Sequence, residues 1–165
     1  MNNCQCIKGH YNFSITVGDD QNLIYIDTSD WMDGENYSIP DTYTLTITLP
    51  GGSKKMTEVS VGSGDVISTS ELQISKFIDG LYCFETFSCG KTYKRVSLIL
   101  PFLECCLRRA RITLSEAKQE KVDEVESVLK LAQVNAELGN EETASDLLQI
   151  AKKKFENLKC DCECS

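Results

Sequence analysis

The sequence predicts an α+β chain: an N-terminal antiparallel β-sandwich over residues 1–101, then a C-terminal antiparallel helical hairpin over residues 102–165. Three observations lead there. From Tyr11 to about Leu100, short β-branched and aromatic runs alternate with turn residues, as antiparallel strands do. After Pro101 the apolar residues move to three- and four-residue steps, which is the helical period. Hydrophobic residues make up 41% and charged residues 25%, which is the composition of a folded globular chain rather than a disordered one.

The first hairpin is expected from Asn12–Val17, the turn Gly18-Asp19-Asp20-Gln21 and the run Leu23–Thr28. Trp31 to Pro40 reads as a loop. Tyr43 to Leu49 alternates with period two, placing Tyr43, Leu45, Ile47 and Leu49 on one face and threonines on the other. Pro50-Gly51-Gly52 ends that strand, Glu58–Val61 is expected as a short strand, and Gly62-Ser63-Gly64 gives another break. A second hairpin runs from Leu81–Phe87 through Ser88-Cys89-Gly90-Lys91 into Thr92–Leu100. This spacing suits a two-sheet sandwich, for which an immunoglobulin-like form is one variant, although the Cys–Trp–Cys arrangement of antibody domains is not evident.

The last strand is expected to run almost directly into a helix bearing Phe102, Leu103, Cys106, Leu107 and Ala110 on one side. Thr113-Leu114-Ser115-Glu116 fits a capping box, so a second helix is expected to begin near Leu114. Val122, Val125, Leu129, Ala132 and Ala136 form one apolar stripe; Ala144, Leu148, Ala151, Phe155 and Leu158 form another. Gly139 suits the left-handed residue that closes a helix and Asn140 the cap of the next, so the two stripes face each other across a tight turn.

Charge and hydropathy exclude several classes. The net charge is −8 and acidic residues outnumber basic ones in both halves. Phosphate neutralisation needs a concentrated basic surface, and the clusters Arg108, Arg109, Arg111 and Lys152, Lys153, Lys154 read as solvated helix faces, so no direct nucleic-acid recognition is expected. No window approaches the roughly 18 consecutive apolar residues that span a bilayer, so no membrane partner is expected, and Met1 to Cys6 does not read as an export signal. Without such a signal, the glycosylation patterns at Asn12 and Asn36 read as chance matches.

Of the nine cysteines, Cys4 and Cys6 stand near one end and Cys160, Cys162 and Cys164 near the other. They are expected to be reduced thiols or metal ligands rather than a disulfide framework. Residues two apart share a face of an extended segment, so Cys4, Cys6, Cys160, Cys162 and Cys164 are the candidate ligands of a zinc ion, which takes four thiolates tetrahedrally; mobile unligated thiols are the plainer alternative. Cys83 and Cys106 are expected in the core, where cysteine serves as a small apolar side chain. Cysteine catalysis needs a base, and His10 is the one histidine, so no catalytic residue is assigned and the chain is not expected to be an enzyme. Asp19, Asp20, Asp27, Asp30 and Asp33 lack the spacing of a calcium loop and suit turns. No phosphate-binding glycine loop or nucleophile elbow is present. Leu138 to Phe155 resembles one tetratricopeptide unit, but a single unit does not make an array and reads as packing.

Cys83-Phe84-Glu85-Thr86-Phe87-Ser88-Cys89-Gly90-Lys91, Leu100-Pro101-Phe102-Leu103-Glu104-Cys105 and the Cys-x-Cys-x-Cys end, following a β-rich body, resemble small structural proteins of crAss-like bacteriophages, chiefly over residues 80–165. The resemblance implies a virion component made in the bacterial host cytoplasm. It would be a head–tail connector, neck or tail ring whose partners are copies of itself and the portal or other neck and tail proteins. The competing expectation is a cytoplasmic adaptor with zinc-bound termini that grips a peptide or helix through its hairpin.

Overall fold

A computed structural model describes residues 14–17, 23–27, 42–60, 65–74, 76–88, 91–160 and 164. Its fold is α+β, with two antiparallel sheets followed by three helices. Strands β1 (Ser14–Val17), β2 (Leu23–Asp27) and β5 (Asp65–Ser68) make a three-stranded sheet in the order β1-β2-β5. Strands β3 (Thr42–Thr48), β4 (Lys54–Ser60), β6 (Gly80–Ser88) and β7 (Lys91–Ile99) make a four-stranded sheet in the order β4-β3-β6-β7. Helices α1 (Pro101–Thr113), α2 (Glu116–Glu137) and α3 (Glu141–Glu156) complete the chain.

Two compact units result. The first holds the described residues up to Phe77 together with Cys83–Arg95, and the second holds Ile78–Tyr82 and the described residues from Val96 onward. The division therefore passes through β6 and β7, whereas the sequence places it at Pro101.

In the first unit the alternation of β3 does what period two requires. Tyr43, Leu45 and Ile47 are buried, and Thr44, Thr46 and Thr48 lie on the other face. Register carries the same face across the sheet: Tyr43 stands opposite Val59, Leu45 opposite Thr57 and Thr86, and Ile47 opposite Lys55 and Phe84. The turn from β3 to β4 is a three-residue loop in which Gly52 N–H donates to Leu49 O at 2.8 Å and Leu49 N–H to Ser53 O at 2.8 Å. Gly52 has φ +95°, the left-handed position that this hairpin needs. Among the described side chains of the three-stranded sheet, Ile24, Ile26 and Ile67 are buried. A 3-10 turn, Thr69–Leu72, follows β5; Ser68 caps it and Gln73, at φ 56°, closes it.

In the second unit α1 begins without a cap from its own flank, because Leu100 has no side chain able to accept a hydrogen bond. Asp79 supplies the cap from before β6: its two carboxylate oxygens accept from Phe102 N–H and Leu103 N–H, each at 2.8 Å. The loop that carries Asp79 is held by Tyr82, whose hydroxyl donates to Ile78 O at 2.7 Å and accepts from Ile78 N–H at 3.0 Å. Burial pushes the Tyr82 phenol above its usual range, the Ile78 bond opposes that, and the nearby Asp79 charge adds to it.

The capping box expected at Thr113–Glu116 does not form. Thr113 Oγ1 donates instead to Arg109 O at 2.9 Å, because one helical turn back lies a carbonyl of the terminal turn of α1. Ser115 turns the chain in extended conformation with no side-chain cap bond, and α2 starts at Glu116. Gln119 makes the closure, its amide donating to Ala110 O at 3.1 Å and to Leu114 O at 3.0 Å.

The α2–α3 hairpin follows the expected pattern. Gly139 has φ +86°, Asn140 N–H donates to Asn135 O at 2.8 Å, and Gly139 N–H to Ala136 O at 3.0 Å, which together form a Schellman ending. Val122, Val125, Leu129, Ala132 and Ala136 of α2 are buried, as are Ala144, Leu148 and Ala151 of α3, with Leu158 beyond it; Phe155 is half-buried. Asn140 stands at the N-cap of α3, but its side chain donates to Asn135 Oδ1 rather than to the helix it precedes.

Candidate functional site

The sequence singles out Cys4, Cys6, Cys160, Cys162 and Cys164 as metal ligands; Cys4, Cys6 and Cys162 lie outside the described residues, as do His10 and Cys89. Cys160 is half-buried. Cys164 is bonded to Cys105 on α1, with the two Cα atoms 6.1 Å apart. This corrects the expectation of reduced thiols at that position: a sulfur in a disulfide is no thiolate, and in this form Cys164 offers nothing to a zinc ion. Among the described residues no group of three or more His, Cys, Asp or Glu side chains is placed to hold a metal.

The bridge follows from the hairpin. Helix α2, with 22 residues, carries the chain about 33 Å away, and α3, with 16, brings it about 24 Å back. The segment after α3 then reaches α1, and a Cα separation of 6.1 Å lies within bridging range. Cys106, the next residue of α1, is fully buried and is also disulfide-bonded. The expectation that Cys106 sits in the core is met; that it is a thiol is corrected. Cys83 is half-buried on β6, its Sγ 3.8 Å from Glu85 Oε1.

Charged groups near the cysteines have structural partners. Arg111 on α1 forms a clasp with α2, donating to Gln119 Oε1 at 3.1 Å, to Glu126 Oε2 at 2.7 Å and to Asp123. Those hydrogen bonds, Glu126 first, hold the guanidinium firmly in its charged form. Glu104, adjacent to Cys105, has its carboxyl raised above the usual range chiefly by desolvation; Arg108 opposes the rise and Asp79 adds to it.

A second surface feature lies on the outer side of α2. Leu131 and Val134 of α2 and Leu138 at its C-cap are 52%, 50% and 71% exposed. At about 100° per residue they occupy one side of α2, opposite the buried line of Val125, Leu129, Ala132 and Ala136. The carboxyl half of α2 is thus apolar on two sides, a pattern that belongs to a helix covered on both. The signal was legible, since Leu131, Val134 and Leu138 repeat at three- and four-residue steps just as the inner stripe does. On the three-stranded sheet, Tyr25 and Val66 are cross-strand partners, 43% and 49% exposed, and make a second outward apolar pair.

No protein-family model matches the chain, and neither a curated protein nor a solved structure matches it. No helix among the described residues is long and apolar enough to cross a membrane.

Proposed function

We propose that the chain is a structural subunit that works through contacts between identical copies, as a ring component of a bacteriophage neck or tail beside the portal. The observation that carries this reading is the outward stripe Leu131, Val134 and Leu138, a helix face with the pattern of a buried one. The occupant is a second copy of the chain. Cyclic rings use a heterologous contact, in which one surface meets a different surface of the next subunit. The stripe on α2 and the outer pair Tyr25 and Val66 on the sheet are two such surfaces, both apolar, on separate units of the chain. Each is small, so association of the isolated chain is weak and a ring closes on its portal or tail partner. The resemblance of residues 80–165 to crAss-like phage structural proteins supports the particle as the place.

The test is made on purified particles by quantitative mass spectrometry, counting this chain against the portal. Several copies per portal ring support the reading. Absence from particles, or one copy in each, removes it.

A further inference from the structure

We propose that the outer face of α2 in one copy docks on the outer face of α1 in the next, an acidic and apolar surface meeting a basic and apolar one. The inference rests on the reading that identical copies meet through α2, and it names the surface on the other side of that contact.

Helix α1 has an outward face of its own. Ile112 is 85% exposed, the most of any large apolar side chain among the described residues. Arg108 and Arg109 precede it by one helical turn, lie about 40° to one side of it and about 60° to the other, and are both exposed. Phe102, half exposed, continues the same side about 15 Å toward the start of the helix. The buried line of Leu103, Cys106, Leu107 and Ala110 is on the opposite side. Glu104, the one acidic residue of α1, lies about 80° round from Ile112. Arg111 is turned to the clasp with α2, which leaves Arg108 and Arg109 as the outward basic pair.

The α2 face is the complement. Leu131, Val134 and Leu138 run for about 10 Å along the helix. The stretch 131–149 around them holds Glu137, Glu141, Glu142 and Asp146 and contains no Lys or Arg. Glu137 and Glu142 are exposed. In such a contact the apolar side chains supply the area, while arginines and carboxylates decide which surface is accepted, because like charges brought together repel. The same rule disfavours α2 against α2 of a second copy. It also sets α1 above the outer pair Tyr25 and Val66, whose strands β1, β2 and β5 contain no Lys or Arg. One helical unit therefore carries both halves of the contact, which makes it heterologous and able to pass from copy to copy.

The experiment uses purified particles carrying the full chain and counts its copies against the portal, with the Tm of each isolated chain measured alongside. The variants are Arg108→Glu with Arg109→Glu, Glu137→Lys with Glu142→Lys, and all four substitutions together. Each charge-reversed pair is expected to lower incorporation by roughly tenfold or more, and the fourfold variant to recover to within about threefold of wild type, because opposite charges face each other again. A second measurement needs no charge reversal: Ile112→p-benzoylphenylalanine, irradiated in particles, is expected to give a covalent dimer whose linked peptide contains Leu131 to Leu138. Wild-type incorporation of the folded arginine variant overturns the proposal. So does a fourfold variant that folds yet recovers nothing, or irradiation that links position 112 to another peptide or to none. With several wild-type copies per portal ring, those results leave the ring reading standing and remove only the α1 contact. Absence of the wild-type chain from particles removes both.

Discussion

Thr86 lies on the inner face of β6 opposite Leu45, and its hydroxyl is buried with no hydrogen-bond partner among the described residues. A buried hydroxyl left unpaired carries its desolvation penalty uncompensated, so Thr86→Val, which keeps the β-branched shape, should stabilise the chain by about 1 kcal/mol in chemical denaturation. Asp79 is the opposite case. Its carboxylate accepts two amide hydrogen bonds at the positive end of α1, and Asp79→Ala should cost about 1–2 kcal/mol, with Asp79→Asn between the two. Glu104 adds a pH dependence. Its folded-state value lies above the usual one near 4.5, so between the two values the native state binds more protons than the unfolded state. Its contribution is therefore present at low pH and lost as pH rises through the raised value. Glu104→Gln removes that slope, so the stability of the variant relative to wild type should grow as pH climbs from 4.5 and then level off.

At the scale of the elements, the two sides of α2 make opposite predictions. Leu129 is buried and Leu131 is half in solvent. Leu129→Ala should destabilise by about 2–5 kcal/mol through lost burial and a cavity, whereas Leu131→Ala should stay within about 0.5 kcal/mol of wild type in thermal or denaturant melts. Equal effects would mean that the inner stripe is not a core. The inner stripe, the Gly139 turn and the alternation of β3 were all legible because each is a local period or a local backbone demand. Other features were not. β5 spans four residues after a glycine-rich break, too short for a period to show. β4 begins at Lys54 and Lys55 and has Val59 as its one buried side chain, so only its later part, within the expected Glu58–Val61, reads as strand and its first residues read as loop. The Asp79 cap joins residues 23 and 24 apart in sequence, and the Cys105–Cys164 bond residues 59 apart. Such pairings depend on where the folded elements bring the chain together, which spacing alone does not encode. The cysteine spacing alone suited thiols, whereas the return of α3 toward α1 favours the bond.

At the scale of the whole molecule, the central claim is that identical copies meet through the outer face of α2. Substitution with a charge there should leave the fold of one copy intact, because those side chains touch solvent, and should act on assembly alone. The direct measurement is the number of copies per purified particle, relative to the portal, for wild type and for the double variant Leu131→Glu, Leu138→Glu, together with the melting temperature of each isolated chain. Several wild-type copies per portal ring are expected, with loss of the variant from particles by tenfold or more and melting temperatures within a few degrees of each other. Equal incorporation of the folded variant would contradict it.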